Sequence, residues 1–337
     1  MAAHRRTQAR RPGDGHLRVD MQMQLPRVLV AVWCLIELCS QLGASDPPQA
    51  MERVSGDAVI RSPFDNSEIV ITTTDRLAGA VHSLTWNGKE FINSTDHGRQ
   101  LQSACSFDGG LTNPFWAECF NPTEAGSRRD GAGPISSSRL LSMEFRPSEL
   151  KTKTQMAFWL APGEKSSGRP AINSAVLSDH FLEKHIRIGY QSMPNVIEYE
   201  AKFTVPESES HRFAQFEAVT GYMPPEFSKF WKFDTESKQL ELLSDGPGEQ
   251  SSPVVLANET GTHAMGVFSP AQPSPGYSNA GYGRFRFSAE KVVKWNCVFR
   301  VRHDTRVPPG EYRYQVFVAL GTLEQVRSAL ERMSAGL

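Results

Sequence analysis

The chain has 337 residues, 22% charged and 39% hydrophobic, with 36 basic residues against 37 acidic ones. A formal net charge of −1 gives no electrostatic reason to expect nucleic acid or an anionic membrane as partner. The 22 prolines and 26 glycines are spread along the chain, which suits many short strands joined by turns.

Met1 to Asp20 is basic and has no apolar period. Leu25-Pro26-Arg27 then leads into an apolar run from Val28 to Ile36, and Leu42-Gly43-Ala44 follows as a cleavage site. These are the parts of a secretion signal, so a secreted or periplasmic protein is expected, with Met21 and Met23 as alternative starts. The other reading is a membrane anchor, but a span needs ~20 apolar residues, and Glu37 interrupts the run. The expected organisation is an extension and signal over 1–45, a linker over 46–55 and one domain over 56–335.

Cys34 and Cys39 fall in the signal, leaving Cys105, Cys119 and Cys297. Either Cys105 and Cys119 close a short disulfide loop, or all three are buried thiols. No CxxC or HxxxH spacing marks a zinc site, and neither metal nor cofactor is expected.

From Ser55 onward, alternation with period two dominates. Glu68–Thr74 is β-branched, and Gly79–Trp86 is a second strand. Asn87-Gly88 then predicts a type I′ turn, which needs positive φ at both positions, and Lys89–Asn93 returns. Gly126–Ser138 and Ser244–Ser252 read as surface loops. Val196–Val205 places Ile197, Tyr199, Ala201, Phe203 and Val205 on one face and Glu198, Glu200 and Lys202 on the other. In Val292–Arg302, Trp295, Cys297, Phe299 and Val301 oppose Asn296, Arg300 and Arg302. Tyr312–Leu320 reads as a central strand. The one helix comes last: Thr322-Leu323-Glu324-Gln325 is a capping box, and Leu323, Val326 and Leu330 form its apolar stripe. Trp231 and Trp295 read as core residues. Asn93-Ser94-Thr95 and Asn258-Glu259-Thr260 are glycosylation sequons.

The densest polar cluster is Asp96-His97-Gly98-Arg99-Gln100-Leu101-Gln102, followed by Ala117 to Gly126. Arg and Gln donors match vicinal hydroxyls, and Phe115, Trp116 and Phe120 offer flat faces for pyranose rings. Such a segment either lies on the surface or lines a wet cleft. Sugar contacts are therefore expected from Asp96, Arg99, Gln100, Gln102, Trp116, Asn121, His180 and Tyr222. For general acid/base work the candidates are His97, Glu118, Glu124 and Glu217, with His180 and His185 as further histidines. Plainer readings compete. Asp96 and His97 suit a turn, Glu118 and Glu124 suit surface pairs with Arg128 or Arg129, and His180 and His185 suit structural roles. Glu217 shares a strand face with Gln215, opposite Phe216 and Ala218.

Gly79–Phe91 followed by Asp96-His97-Gly98-Arg99-Gln100 resembles the start of galactose-mutarotase-like (aldose epimerase) domains. The resemblance covers about 50 residues. It implies an all-β fold, a large antiparallel β-sandwich (supersandwich) with one short C-terminal helix, and Arg99 inside a concave sugar cleft. The Asn-His motif that should follow the Gly-Arg segment is missing, and no Glu sits in the family's C-terminal context. The expected function is that of a secreted carbohydrate-active protein: a glycoside hydrolase or polysaccharide lyase acting on poly- or oligosaccharide. The alternative is a non-catalytic carbohydrate-binding or structural surface protein, and aldose 1-epimerase is the third reading. A monomer is expected.

Overall fold

A computed structural model describes residues 54–109, 115–276 and 280–336. The signal and most of the linker lie outside the described residues.

The chain alternates short turns with antiparallel strands. β1 (Ala58–Phe64), β2 (Ser67–Thr73) and β3 (Val81–Trp86) form a meander, and β3 turns into β4 (Lys89–Glu90). Asn87 and Gly88 take φ of 48° and 71°, as a type I′ turn requires. After β5 (Leu101–Phe107), β6 (Pro122–Thr123), β7 (Arg139–Arg146) and β8 (Glu149–Phe158) comes a small hairpin, β9 (Lys165–Ser166) with β10 (Arg169–Pro170). The longest strands follow: β11 (Leu177–Tyr190), β12 (Met193–Val205) and β13 (Phe213–Met223). Five short strands come next: β14 (Lys229–Phe233), β15 (Leu240–Leu243), β16 (Gly248–Gln250), β17 (Val254–Ala257) and β18 (Ala264–Phe268). β19 (Gly281–Phe287), β20 (Val292–Arg302), β21 (Gly310–Gly321) and α1 (Leu323–Ser334) complete the fold.

Pairing runs β1-β2-β3-β5-β13-β20-β19-β16 in one sheet and β7-β8-β11-β12-β21-β18-β17-β14-β15 in the other, with β6 bridging β5 and β8. The two inner faces meet in an aromatic core. Phe216 of β13 lies 5.2 Å from Phe203 of β12 and 4.8 Å from Tyr312 of β21. The inward residues expected on β12 and β20, among them Tyr199, Phe203, Trp295 and Phe299, are all buried there. Alternation places them inside because a pleated strand presents every second side chain to the same face. α1 covers part of the second sheet's outer face with Val326, Ala329 and Leu330. Its capping box forms as read: Thr322 Oγ1 accepts from the Gln325 N–H, and Gln325 Oε1 accepts from the Thr322 N–H. The all-β sandwich with one C-terminal helix is therefore the observed architecture.

One reading changes and one open alternative is decided. Ser244–Ser252 contains β16, which pairs with β19, so it is a sheet edge rather than a loop. Cys105, Cys119 and Cys297 are free buried thiols, which settles the disulfide alternative.

One local irregularity positions the site. β13 slips register between Glu217 and Val219 against β20, and between Glu217 and Thr220 against β5. A bulge adds one residue and so reverses the alternation beyond it. Gln215 and Glu217 face outward before it, and Thr220 and Tyr222 face outward after it. Cross-strand partners then stack in rows: Gln215 with Arg300, Thr220 with Asn296 and Tyr222 with Lys294.

Candidate functional site

The outer face of β5-β13-β20-β19 carries a cleft of about 390 Å³. β5 contributes Gln102 and Ser106, and β13 contributes Gln215, Glu217, Thr220 and Tyr222. β20 gives Lys294, Asn296 and Arg300, while β19 gives Phe285 and Phe287. The remaining wall comes from the 116–121 turn, through Glu118 and Asn121, from Trp159 and from Glu249 on β16.

At its floor, Glu217 accepts from Thr220 Oγ1 at 2.6 Å and from Lys294 Nζ at 3.3 Å. Burial pushes the Glu217 carboxyl up. The Lys294 ammonium and hydrogen bonds from Thr220 and Asn296 outweigh it and hold the carboxyl below its ordinary value. Burial pulls Lys294 down, but Glu217 and Tyr222 raise it above its ordinary value. Both charges therefore persist at neutral pH. Burial also raises the Tyr222 phenol, and the nearby ammonium offsets this only in part, so the hydroxyl stays protonated. Lys294 Nζ also lies over the Tyr222 and Phe285 rings, at 5.1 and 5.4 Å.

A second pair closes the other end. Arg300 donates to both carboxylate oxygens of Glu249, at 2.6 and 2.7 Å, and its Nε donates to Gln215 at 2.7 Å. This fork geometry fixes the guanidinium in place. Asn121 Nδ2 donates to the Cys105 carbonyl at 2.7 Å and to Ser106 Oγ at 3.1 Å. Ser166 of β9 donates to Glu118. Two glycines make room. A Cβ on Gly283 would sit 2.2 Å from Asn296 Oδ1, which accepts the Gly283 N–H. A Cβ on Gly98 would sit 2.6 Å from the Trp159 ring.

Of the residues expected from the sequence, Glu118, Glu217, Gln102, Asn121 and Tyr222 come together in this cleft. The others do not line it. Arg99 is held away: its Nε is 3.0 Å from Asp96 Oδ2, and a terminal nitrogen donates to the Glu290 carbonyl at 3.0 Å. In the Gly-Arg segment, Gly98 rather than Arg99 borders the cleft. Asp96 also accepts the Gly98 N–H at 2.9 Å, as a turn residue would. His97 is a buried clamp, with ring nitrogens 2.8 Å from the Gly131 and Arg76 carbonyls. Gln100 is fully buried and donates to the Asp96 carbonyl.

Glu124 is fully buried as well and ion-paired to buried Lys184, while its Oε2 accepts the Ser103 N–H at 3.0 Å. It is thus an interior group, not a surface partner of Arg128 or Arg129, which both approach Glu164. Trp116 borders a separate pocket of about 170 Å³ and stacks under Arg169 at 4.1 Å. His180 is buried among Phe107, Phe120 and Phe158. His185 pairs with Glu149 at 2.6 Å.

Sequence reasoning missed Lys294, Glu249, Trp159, Phe285 and Phe287 as site residues. The signal was present in β20, where Lys294, Asn296 and Arg300 alternate through an apolar strand. Among the described residues, no group of three or more His, Cys, Asp or Glu side chains is placed to hold a metal ion.

No protein-family model and no curated protein sequence matches the chain. Solved structures do match it. One is a galactose mutarotase-like protein from Lactobacillus casei: 9% identity, covering 78% of this chain and 100% of that one, TM-score 0.40. Another is a heparan sulfate lyase from Pedobacter heparinus: 10% identity, covering 82% of this chain and 37% of that one, TM-score 0.39. A third is an alpha-galactosidase from Lactobacillus brevis: 10% identity, covering 81% and 40%, TM-score 0.37. The resemblance read in Gly79–Gln100 is to the group named in the first of these.

Proposed function

We propose that this chain binds carbohydrate, and that its ligand is a neutral glycan held in the β5-β13-β20-β19 cleft. The observation that carries this is the way the cleft is lined. Planar and hydroxyl hydrogen-bonding groups (Gln102, Asn121, Gln215, Thr220, Tyr222, Asn296) line it together with the aromatic side chains of Trp159, Phe285 and Phe287. Polar groups that fix orientation among apolar walls are the usual build of a small-ligand site.

The charges support a neutral ligand. Lys294 is engaged by Glu217, and Arg300 by Glu249. A uronate carboxylate entering the cleft would compete with one of these anions for its cation. This weighs against the polysaccharide-lyase reading, as does Arg99 being held outside the cleft. General acid/base catalysis works best with a group that titrates near the working pH. The floor residues Glu217, Lys294 and Tyr222 all shift away from neutrality.

A second reading, glycoside hydrolysis, is favoured by one feature. Glu118 lines the same cleft as Glu217, and among the described residues its partner is the Ser166 hydroxyl rather than a cation. Two carboxyls facing one cleft are the side chains such a reaction requires.

A glycan array probed with the wild-type protein, Lys294→Met and Phe285→Ala tests the proposal. Neutral glycans should be retained by the wild type and lost by both variants. Retention of no glycan, or unchanged retention by both variants, refutes it. Release of reducing ends by the wild type that disappears in Glu118→Gln would establish the hydrolase reading.

A further inference from the structure

Resting on that reading, we infer that the cleft continues into a second sugar subsite on Phe287, and that its ligand is an extended oligosaccharide rather than a single sugar. Phe285 and Phe287 stand two residues apart on one face of β19, with ring centroids 6.0 Å apart and planes within 7° of parallel. Lys294, on the neighbouring strand β20, lies over the Phe285 ring face. The nearly parallel Phe287 ring stands further along the same strand, nearer to solvent.

The two rings differ in what covers them. Phe285 lies beneath the Lys294 side chain, whereas Phe287 is 38% exposed, one of few large apolar residues so placed among those described. β16 pairs with Tyr282, Gly283 and Arg284 of β19, and among the described residues its ladder does not continue beside Phe285–Phe287. A sugar ring hydrogen-bonded over the cleft floor beside Lys294 would have its neighbour emerge toward the exposed Phe287 ring.

The wall is also rigid. On the opposite face of β19, Arg286 donates to Asp245 at 2.7 Å and to the Ser228 carbonyl at 2.9 Å. Arg284 donates to the Ser244 carbonyl at 2.8 Å and to Gln250 at 2.9 Å. A surface anchored in its bound shape loses little entropy when ligand arrives.

The test is calorimetric titration with glucose, mannose, galactose and N-acetylglucosamine, each as the monosaccharide and as its β-1,4-linked tetramer. For the sugar bound, the wild type should hold the tetramer at least roughly 10-fold more tightly than the monosaccharide. Phe287→Ala should erase that advantage, bringing tetramer affinity down to that of the monosaccharide in the same variant, and Phe287→Trp should retain it. Unchanged melting temperature in both variants would exclude misfolding. Equal affinity for both lengths in the wild type, or a tetramer advantage that survives Phe287→Ala, overturns the subsite while leaving the cleft reading intact. Binding of neither length to the wild type removes the cleft reading and the subsite with it.

Discussion

His180 should make the fold lose stability in mild acid, by an amount the structure sets. Its ring is 1% exposed and packs 4.9 Å from Phe107, with Phe120 and Phe158 beyond. Neither ring nitrogen makes a hydrogen bond, although Glu209 Oε2 lies 3.3 Å from Nε2. Burial, reinforced by nearby His211, pulls its pKa from the ordinary 6.5 to about 3. The native state therefore keeps this histidine neutral where the unfolded chain would protonate it. Stability from that difference is present above pH 6.5 and drains away as pH falls toward 3. With each unit worth about 1.4 kcal/mol, the loss is about 2 kcal/mol by pH 5. His180→Phe removes the proton-binding site and two unpartnered nitrogens, and should change stability at neutral pH by less than ~2 kcal/mol. Urea unfolding of both proteins at neutral pH and at pH 5 gives the comparison. The wild type should lose about 2 kcal/mol more than the variant on acidification. His82 and His263, also lowered by burial, act alike in both proteins and cancel. Equal losses would refute the reasoning.

Four other outcomes are expected. Lys184→Met should destabilise by about 3–5 kcal/mol because it strands a fully buried Glu124; adding Glu124→Leu should recover most of that in urea unfolding. Lys294→Met should cost less, about 1–3 kcal/mol, since the Glu217 side chain is 13% exposed, and titration should show glycan binding lost. Gly283→Ala should displace Asn296 from the cleft floor and lower glycan affinity by at least roughly 10-fold in the same titration. Arg99→Ala should leave glycan affinity unchanged, because its guanidinium is committed to Asp96 and Glu290.

The fold was legible because its signals are local. Asn87-Gly88, the capping box at Thr322 and the alternation of Val196–Val205 each depend on neighbours in sequence. The site was legible only in part because it depends on pairing at long range. Thr220, which was not expected, reaches the cleft through the β13 bulge; unbroken alternation from Glu217 would have pointed it into the core. Glu249 sits in a segment rich in Gly, Ser and Pro, and becomes a strand residue only through its partner β19. His97 and Glu124 have the right chemistry for catalysis. Whether a polar side chain faces water or a buried partner is a tertiary fact, and both proved to be interior clamps.

The claim that the β5-β13-β20-β19 cleft is a sugar site is tested most directly by a crystal structure of the protein with a bound oligosaccharide. The account predicts one sugar ring over the cleft floor, hydrogen-bonded among Glu217, Tyr222 and Asn296, with Lys294 still paired to Glu217 and the next ring against Phe287. A glycan lodged elsewhere on the protein, with this cleft holding only solvent, would contradict it.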